Sequence, residues 1–221
     1  MKLILKDKRK DTEDVFSFVF ESEIPINWKA GQFMQYTLER NEPDDRGVDR
    51  FFTISSAPFE KSIVITIRFN KERSSTFKED LLNLKLNTSV EAMGPWGDFI
   101  VDYTNKDQNL VFIAGGIGIT PFRSILLDMN YNNYSINADL LYFNKNEEFP
   151  YRKEIDGIKD QKFLKVLYST DTFSENHITE IESYKDKKYY ISGPKGFVNL
   201  VFGTLHSLGL DNIKKDFFPG Y

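Results

Sequence analysis

The sequence predicts two domains: an N-terminal antiparallel β-barrel with one helix, then a C-terminal α/β domain built on a parallel sheet. Two observations support this fold class. Short segments rich in β-branched and aromatic residues, separated by turn residues, dominate the first hundred positions. After a polar stretch at residues 102–109, apolar strand patterns alternate with helical ones, as they do around a parallel sheet. We therefore expect domains at residues 1–103 and 108–221.

The barrel strands are short and bounded by turn signals. We expect them at residues 15–20, 32–38, 51–55, 63–69 and 89–93. Turn clusters at residues 40–47 and 94–97 interrupt the pattern. Strands of this number and spacing favour a small antiparallel barrel. One helix is expected near residues 76–84, where Phe77 and Leu81 lie on an apolar side.

The second domain starts with a strand that breaks into glycines. Residues 110–114 are continuously apolar, as in a strand buried on both faces. Thr120 is the expected N-cap of the following helix, and Pro121 is its expected first residue. Further strands are expected at residues 138–143, 163–169, 188–192 and 213–217, with a second helix over residues 195–208.

The glycine turn after this strand suits a nucleotide that carries phosphates. Gly115, Gly116 and Gly118 allow positive φ and close backbone approach, and the helix start offers free N–H groups to a diphosphate. A plain strand-to-helix turn is the alternative for the glycines alone. Residues 191–197 repeat the strand–glycine–helix arrangement, so we expect them at the same edge of the sheet.

Residues 50–53, Arg-Phe-Phe-Thr, combine a cation, two aromatic rings and a hydroxyl. This combination suits a flat, phosphorylated ring system. Because side chains alternate along a strand, Arg50 and Phe52 share one face, while Phe51 and Thr53 share the other. A core strand with a surface arginine is the alternative interpretation.

A further candidate anion site precedes the predicted barrel helix. Ser75 and Thr76 lie where the helix dipole and the free amides favour an anion, and the basic Arg68 precedes them. An ordinary capped helix explains the same residues.

Composition narrows the class of function. The formal net charge of −4 argues against a nucleic-acid partner. The chain has no cysteine, and its two histidines, His177 and His206, are too few for a metal centre. The first residues are too charged for a signal peptide, and no apolar run approaches membrane-spanning length. We therefore expect a cytoplasmic protein without a membrane partner.

In this order, the segments resemble the ferredoxin–NADP reductase family of flavoenzymes over nearly the whole chain. Residues 50–53 are similar to the family's Arg-x-Tyr-Ser/Thr segment, and residues 115–121 to its Gly-Gly-x-Gly-x-Thr-Pro run. Residues 94–97 resemble its Gly-Pro-x-Gly turn. The resemblance implies a Greek-key, FAD-binding barrel followed by a Rossmann-like NAD(P)-binding domain.

The resemblance also implies roles for individual residues. Arg50 would bind the flavin pyrophosphate, Phe52 would pack on the isoalloxazine, and Thr53 would approach the flavin N5. Thr53 and Ser192 are the expected catalytic residues. The expected cofactor-binding set is Arg50, Phe51, Phe52, Thr53, Ile67, Arg68, Ser75, Thr76, Gly115, Gly116, Gly118, Thr120, Pro121, Gly193, Pro194, Phe218 and Tyr221.

Two positions depart from the family pattern. Phe52 stands where the family usually has Tyr, so a hydroxyl contact to the flavin should be missing. Ser192 stands where many members have Cys beside the nicotinamide. The family's terminal aromatic, which stacks on the flavin, is matched by either Phe218 or Tyr221, although both also suit a terminal strand in the core.

The expected activity is hydride transfer from NADH or NADPH onto FAD. Electrons would then pass to a separate acceptor such as ferredoxin, flavodoxin or an oxygenase component. The acidic Asp171 would repel a 2′-phosphate, which favours NADH. Two alternatives stay open: a flavin- or nucleotide-binding interaction module without turnover, and a reductase of free flavin or ferric chelates.

Overall fold

The structure of the chain is a computed structural model that describes residues 1–72, 74–159 and 163–218, without the side chains of Lys159 and Phe218. Within these ranges no helix is both long and apolar enough to cross a bilayer. The cytoplasmic location stays a prediction.

The N-terminal part of the chain forms an antiparallel half-barrel of six strands. These are β1 Lys2–Lys10, β2 Val15–Ser22, β3 Phe33–Thr37, β4 Asp49–Thr53, β5 Ile63–Arg68 and β6 Ser89–Trp96. They are hydrogen-bonded in the order β4-β3-β6-β1-β2-β5. The Ser55 amide, just beyond β4, donates to the Val64 carbonyl of β5 at 2.8 Å. This bond brings the two outer strands of the sheet together.

The inward side chains of the half-barrel form a core that also anchors a helix. Phe18 of β2 and Ile65 of β5, which are register partners on neighbouring strands, are fully buried. Helix α1, Thr76–Asn83, adds Phe77 and Leu81 to this core. Each such side chain contributes about 1.5–3 kcal/mol of burial free energy. The N-cap of α1 is Ser75, whose hydroxyl accepts a hydrogen bond from the amide of the third helical residue. This bond fixes the start of α1 at the rim of the half-barrel.

The C-terminal part is a five-stranded parallel sheet with helices on both faces. Its strands are β7 Asn109–Gly115, β8 Asn137–Phe143, β9 Leu164–Ser169, β10 Lys188–Pro194 and β11 Ile213–Phe218. The helices are α2 Ile119–Tyr131, α3 Arg152–Lys159, α4 Asn176–Thr179 and α5 Lys195–Ser207. The strand order is β11-β10-β7-β8-β9. The order therefore reverses between β7 and β10, the position where open α/β sheets bind ligands.

Strand β7 is buried on both faces, as its apolar run predicts. Phe112 and Ala114 pack on one side with α2, while Val111 and Ile113 pack on the other with α5. All four side chains are fully buried. The carboxyl end of β7 is therefore held rigidly from both sides.

The predicted fold class is confirmed, and the structure corrects three details of it. The sequence pattern does not predict strand β1, because six of its nine residues are charged and only Leu3 and Leu5 are buried. Nor does it predict helix α3, whose described apolar residues are few. The expected N-cap Thr120 is wrong, since α2 begins at Ile119. The Thr120 hydroxyl instead donates to the Ile117 carbonyl at 3.1 Å. The division at residues 103–108 stays a prediction.

The two domains meet along a polar seam that has Arg123 of α2 at one end. One nitrogen of its guanidinium donates to the Ser55 carbonyl at 2.8 Å and to Glu60 at 2.9 Å. The other lies 2.8 Å from Glu154 of α3. The Arg123 side chain is only 7% exposed. A buried cation with two carboxylates and a carbonyl fixes how α2 sits against the half-barrel.

Hydroxyl groups and a second set of charges continue the seam. The Tyr151 hydroxyl forms hydrogen bonds with those of Ser17, at 3.0 Å, and Thr66. Further along, Lys145 pairs with Asp14 at 2.9 Å. The seam therefore contains hydrogen-bonding groups along its length.

Candidate functional site

The glycine turn after β7 lies in backbone contact with the end of β10. A Cβ atom at Gly118 would lie 2.2 Å from the Ser192 carbonyl oxygen and 2.6 Å from the Gly193 Cα. Gly116 adopts a φ of 55°, a conformation that favours glycine. Gly115 is equally restricted, because a Cβ there would lie 2.5 Å from the Phe197 ring. The two predicted glycine segments thus meet at the switch point of the sheet.

Ser192 presents a buried hydroxyl at this point. The residue is 0% exposed, and its Oγ finds no hydrogen-bond partner within the described part of the chain. An orphaned buried hydroxyl is uncommon, because leaving it unbonded costs about 1–3 kcal/mol. It therefore marks a position where a polar ligand group would be accommodated.

Asp216 of β11 lies beside Ser192, and sequence reasoning did not identify it. The two residues are register partners across β10 and β11. Burial raises the pKa of the Asp216 carboxyl to about 6, and the charge of Asp98 adds to the shift although the Phe217 amide opposes it. Only the strand pairing, which the sequence does not specify, brings this carboxyl next to Ser192.

The remaining predicted residues of the nucleotide half lie at the same edge. Thr120 and Pro121 are buried in the first turn of α2. Pro194 ends β10 and is the register partner of Phe218. The side chain of Phe218 and all of Tyr221 lie outside the described residues, so the expected terminal aromatic stays a prediction.

On the half-barrel, Arg50 and Phe52 both lie against Phe77 of α1. The Arg50 guanidinium is 5.6 Å from the centre of that ring, and the Phe52 ring is 5.7 Å from it. Phe51 projects to the opposite face, where it is 55% exposed beside Phe33. Thr53 is buried at the end of β4. Arg50 and Phe52 therefore share the surface next to α1, whereas Phe51 does not.

Arg50 and the start of α1 both bind Asp44, a residue that sequence reasoning did not single out. Arg50 Nη2 lies 2.8 Å from Asp44 Oδ1, and the Thr76 amide donates to Asp44 Oδ2 at 3.1 Å. Arg50 Nη1 donates to three carbonyls of the same loop, at residues 46, 47 and 49. The guanidinium and the helix start thus converge on one anionic group.

The surroundings of that group are strongly cationic. Burial lowers the pKa of Lys78 to about 8, and the charges of Arg46, Arg50 and Arg68 lower it further. The Nε atoms of Arg50 and Arg68 are buried and find no hydrogen-bond partner within the described residues. Four cations and a helix N-terminus fit a diphosphate, because each supplies N–H groups that can donate hydrogen bonds to phosphate oxygens. These residues therefore fit the diphosphate of a flavin dinucleotide.

Arg68 connects this cationic surface with the glycine turn. Its Nη2 donates to Asn144 Oδ1 at 3.0 Å, and its carbonyl accepts a bond from the Lys78 ammonium at 3.0 Å. A Cβ atom on Gly116 would lie 3.8 Å from Arg68 Nη1. Ile67, the preceding residue, is fully buried in the half-barrel core. The two halves of the candidate site thus face each other across one arginine.

An aromatic cluster borders the glycine turn on its other side. Phe143 at the end of β8 lies 5.0 Å from His177 and 5.9 Å from Phe197, measured between ring centres. Phe173 stacks on His177 at 5.8 Å. Sequence reasoning did not identify this cluster, because its members come from three separate segments of the chain. Phe143 and Phe173 belong to the apolar core between the sheet and α5, so the cluster supports the glycine turn from the core side.

Comparison with known proteins agrees with this geometry. Residues 112–202 match the model of the oxidoreductase NAD-binding domain family. A flavohemoprotein of Rhodopirellula baltica is 24% identical over 97% of this chain and 59% of its own length. A component of the Na(+)-translocating NADH-quinone reductase of Neisseria gonorrhoeae is 25% identical over 92% of this chain and 56% of its own length. The chain thus spans less than two thirds of these relatives.

Solved structures share the whole fold. The FAD/NAD-binding domain of the Vibrio cholerae nitric oxide dioxygenase has a TM-score of 0.83 at 22% identity, covering 98% of both chains. The ferredoxin-NADP+ reductase of Plasmodium falciparum has a TM-score of 0.80 at 21% identity, covering 98% of this chain and 95% of its own. The fold and the site define a class of two-domain, dinucleotide-binding oxidoreductases. Within that class, the likeness in fold extends over nearly the whole chain, while the family match covers residues 112–202.

Proposed function

We propose that this chain takes hydride from NADH or NADPH onto an FAD held by the half-barrel and passes the electrons to a separate acceptor. Ferredoxin, flavodoxin and an oxygenase component are acceptors of the proposed kind. The names of the relatives support the proposal, since one is named for a flavin and a haem and the other for the reduction of a quinone by NADH.

One observation carries the proposal: the candidate flavin surface and the glycine turn face each other across the seam. Arg68 extends from the half-barrel to within 3.8 Å of a Cβ position on Gly116. Direct hydride transfer needs two bound rings held face to face, and the catalytic contribution of the protein is then alignment. A site divided between two domains provides such alignment.

The chain's own residues have distinct roles in this proposal. When bound, FAD supplies the ring that accepts hydride and releases electrons singly or in pairs. Arg50, Arg68 and the amides at the start of α1 would hold its diphosphate. The amides of the glycine turn would hold the nicotinamide nucleotide. The buried hydroxyls of Thr53 and Ser192 would position the reacting rings from opposite domains.

The nucleotide preference is proposed to depend on Asp171. This exposed residue follows β9, and its amide donates to the Ser169 hydroxyl at 3.0 Å, which fixes the turn. A carboxylate here accepts a bond from a free ribose hydroxyl and repels a 2′-phosphate. NADH is therefore the preferred donor.

The test is anaerobic stopped-flow mixing of the FAD-loaded protein with NADH and with NADPH, followed through the flavin absorbance. We expect bleaching at least several times faster with NADH. Asp171→Arg should shift the preference towards NADPH by about tenfold, since a cation replaces an anion at the phosphate position. Glu175→Arg makes the same charge change at a nearby exposed position and should leave the preference within twofold.

Three outcomes decide among the candidate functions. Failure to take up FAD would overturn the proposal. Uptake of FAD without bleaching by either nucleotide would identify a binding module without turnover. If bleaching occurs, turnover with ferredoxin, free FMN and ferric citrate in parallel distinguishes an acceptor protein from a small-molecule acceptor.

A further inference from the structure

The loop at residues 40–47 places a carboxylate where the proposed flavin diphosphate would bind. Asp44 joins Arg50 Nη2, at 2.8 Å, to the Thr76 amide at the start of α1, at 3.1 Å. The two bonds use the two oxygens of one carboxylate. These donors, a guanidinium and a helix-start amide, are the same ones that the proposed function assigns to the flavin diphosphate.

Asp44 is held in this position by its own loop. Its carboxylate accepts bonds from the Arg46 amide at 3.0 Å and the Arg46 guanidinium at 3.2 Å. Its amide donates to the Thr76 hydroxyl at 3.1 Å. Burial raises the pKa of the Asp44 carboxyl, but the amides of Arg46 and Thr76 and the charge of Arg50 outweigh it and lower the pKa to about 2. The group is therefore an anion at neutral pH.

The neighbouring carboxylate shows that this placement is specific to Asp44. Asp45 is 93% exposed, and its oxygen comes only within 3.9 Å of Arg46. Arg50 does not depend on Asp44 for all its bonds, because three backbone carbonyls already accept from its other terminal nitrogen. Asp44 therefore does more than hold the loop in shape: it also places a negative charge among the donors of the proposed diphosphate site.

We propose that Asp44 is a built-in competitor of the flavin diphosphate and that it determines how tightly this protein holds FAD. A carboxylate and a diphosphate cannot use the same donors, and their like charges repel at this distance. FAD therefore binds only when the 40–47 loop releases Arg50 and the Thr76 amide. This inference depends on the proposed function, and it makes FAD an exchangeable ligand instead of a permanently bound group.

The first test is the dissociation constant of FAD from the wild-type protein and from the Asp44→Asn variant, measured by titration calorimetry. We expect Asp44→Asn to bind FAD about tenfold more tightly, and Asp44→Ala, which cannot bond to either donor, at least as tightly. Asp45→Asn makes the same change in net charge one residue away and should alter the constant by less than twofold. Riboflavin, which lacks phosphates, should bind wild type and Asp44→Asn equally.

The second test follows the loop itself in the wild-type protein by hydrogen exchange. The Arg46 amide donates to Asp44 in the structure, so its protection should fall when FAD is added. Inorganic pyrophosphate, used as a probe without a ring, should produce the same loss. This measurement does not depend on any variant folding correctly.

The outcomes separate this inference from the proposed function. If FAD binds wild type and both Asp44 variants equally, or if Arg46 stays protected in the FAD complex, Asp44 is not a competitor while the flavin function stands. If Asp45→Asn reproduces the gain of Asp44→Asn, the effect is one of general charge. If riboflavin shows the same gain, the effect does not involve the diphosphate. Either result overturns the inference. If none of the proteins binds FAD, the proposed function itself fails.

Discussion

At the residue scale, Gly118 lies at the position of the site with the least free space. Any side chain there would overlap the backbone of Ser192, with 2.2 Å between its Cβ and the carbonyl oxygen. Gly118→Ala should therefore reduce the free energy of unfolding by about 3 kcal/mol, because the glycine turn must move away from β10. Urea denaturation measures this change.

A second glycine provides the matched control. Gly196 lies in α5, and a Cβ there would have no heavy atom within 4 Å. Gly196→Ala should stabilise the protein by about 0.5–1 kcal/mol, because alanine favours the helix and restricts the unfolded chain. Equal effects of the two substitutions would show that the contact of Gly118 with β10 is not a constraint.

Asp216 provides a pH-dependent prediction at the same scale. Its folded pKa is about 6 and its unfolded value is near 3.8. The folded protein therefore holds this proton more tightly, so the contribution of Asp216 to stability falls as pH rises from about 4 to 6 and stays low above that. Asp216→Asn should remove this loss and be more stable than wild type by about 2–3 kcal/mol at pH 8.

Thermal or urea unfolding of both proteins between pH 4 and pH 8 measures the difference. Asp211→Asn, which removes an exposed carboxylate from the loop before β11, should instead parallel the wild type across the range. A constant difference between wild type and Asp216→Asn at all pH values would contradict the raised pKa.

At the scale of elements, α2 is fixed to the half-barrel by Arg123. Replacing this cation with Met removes the partner of Glu60 and Glu154 and leaves the Ser55 carbonyl without its donor. Breaking a buried ion pair by removing one member is strongly destabilising, so Arg123→Met should lose about 3–5 kcal/mol.

The control is an arginine with an equally short ion pair at the surface. Arg9 lies 2.8 Å from Asp7, but its side chain is 58% exposed. Arg9→Met should therefore change the free energy of unfolding by less than about 1 kcal/mol. If both variants lose the same stability, the burial of Arg123 has no special importance.

The elements also show which parts of this protein can be predicted from its sequence. Strand β7 and the start of α1 are predictable because an apolar run and a capping serine are local signals. Strand β1 is not, because only Leu3 and Leu5 are buried among charged neighbours. The glycine turn and Arg50 can be found because each lies within a contiguous segment. Asp44 and Asp216 cannot be found in this way, because each joins the site only through a partner far away in the sequence. The partner of Asp44 is Thr76, 32 positions away, and the partner of Asp216 is Ser192, 24 positions away.

At the scale of the whole molecule, the half-barrel and the α/β part are connected by an exposed segment of chain and by the seam. Residues 104–107 are exposed, and the Thr104 and Asp107 amides bond to side chains two residues earlier. Cutting here should not separate the domains, because Arg123 and Tyr151 hold them together. A protease site inserted after Asn105 should therefore yield two fragments that co-elute in size-exclusion chromatography.

The same cleavage in the Arg123→Met background provides the comparison. The fragments should then elute apart, since the buried cation that binds Glu60 and the Ser55 carbonyl of the half-barrel is lost. Immediate separation of the wild-type fragments would mean that the linker, and not the seam, holds the domains in place.

The two ends of the seam differ in how strongly dissolved ions weaken them. Arg123 is nearly buried, so salt barely weakens its pairs, whereas Lys145 is 60% exposed where it meets Asp14. Asp14 also lies 3.6 Å from Arg68, beside the glycine turn. Rising ionic strength should therefore loosen the seam first at the nucleotide side, with the Arg123 end as the pivot. The salinity of the surroundings would then set how readily a dinucleotide enters the cleft.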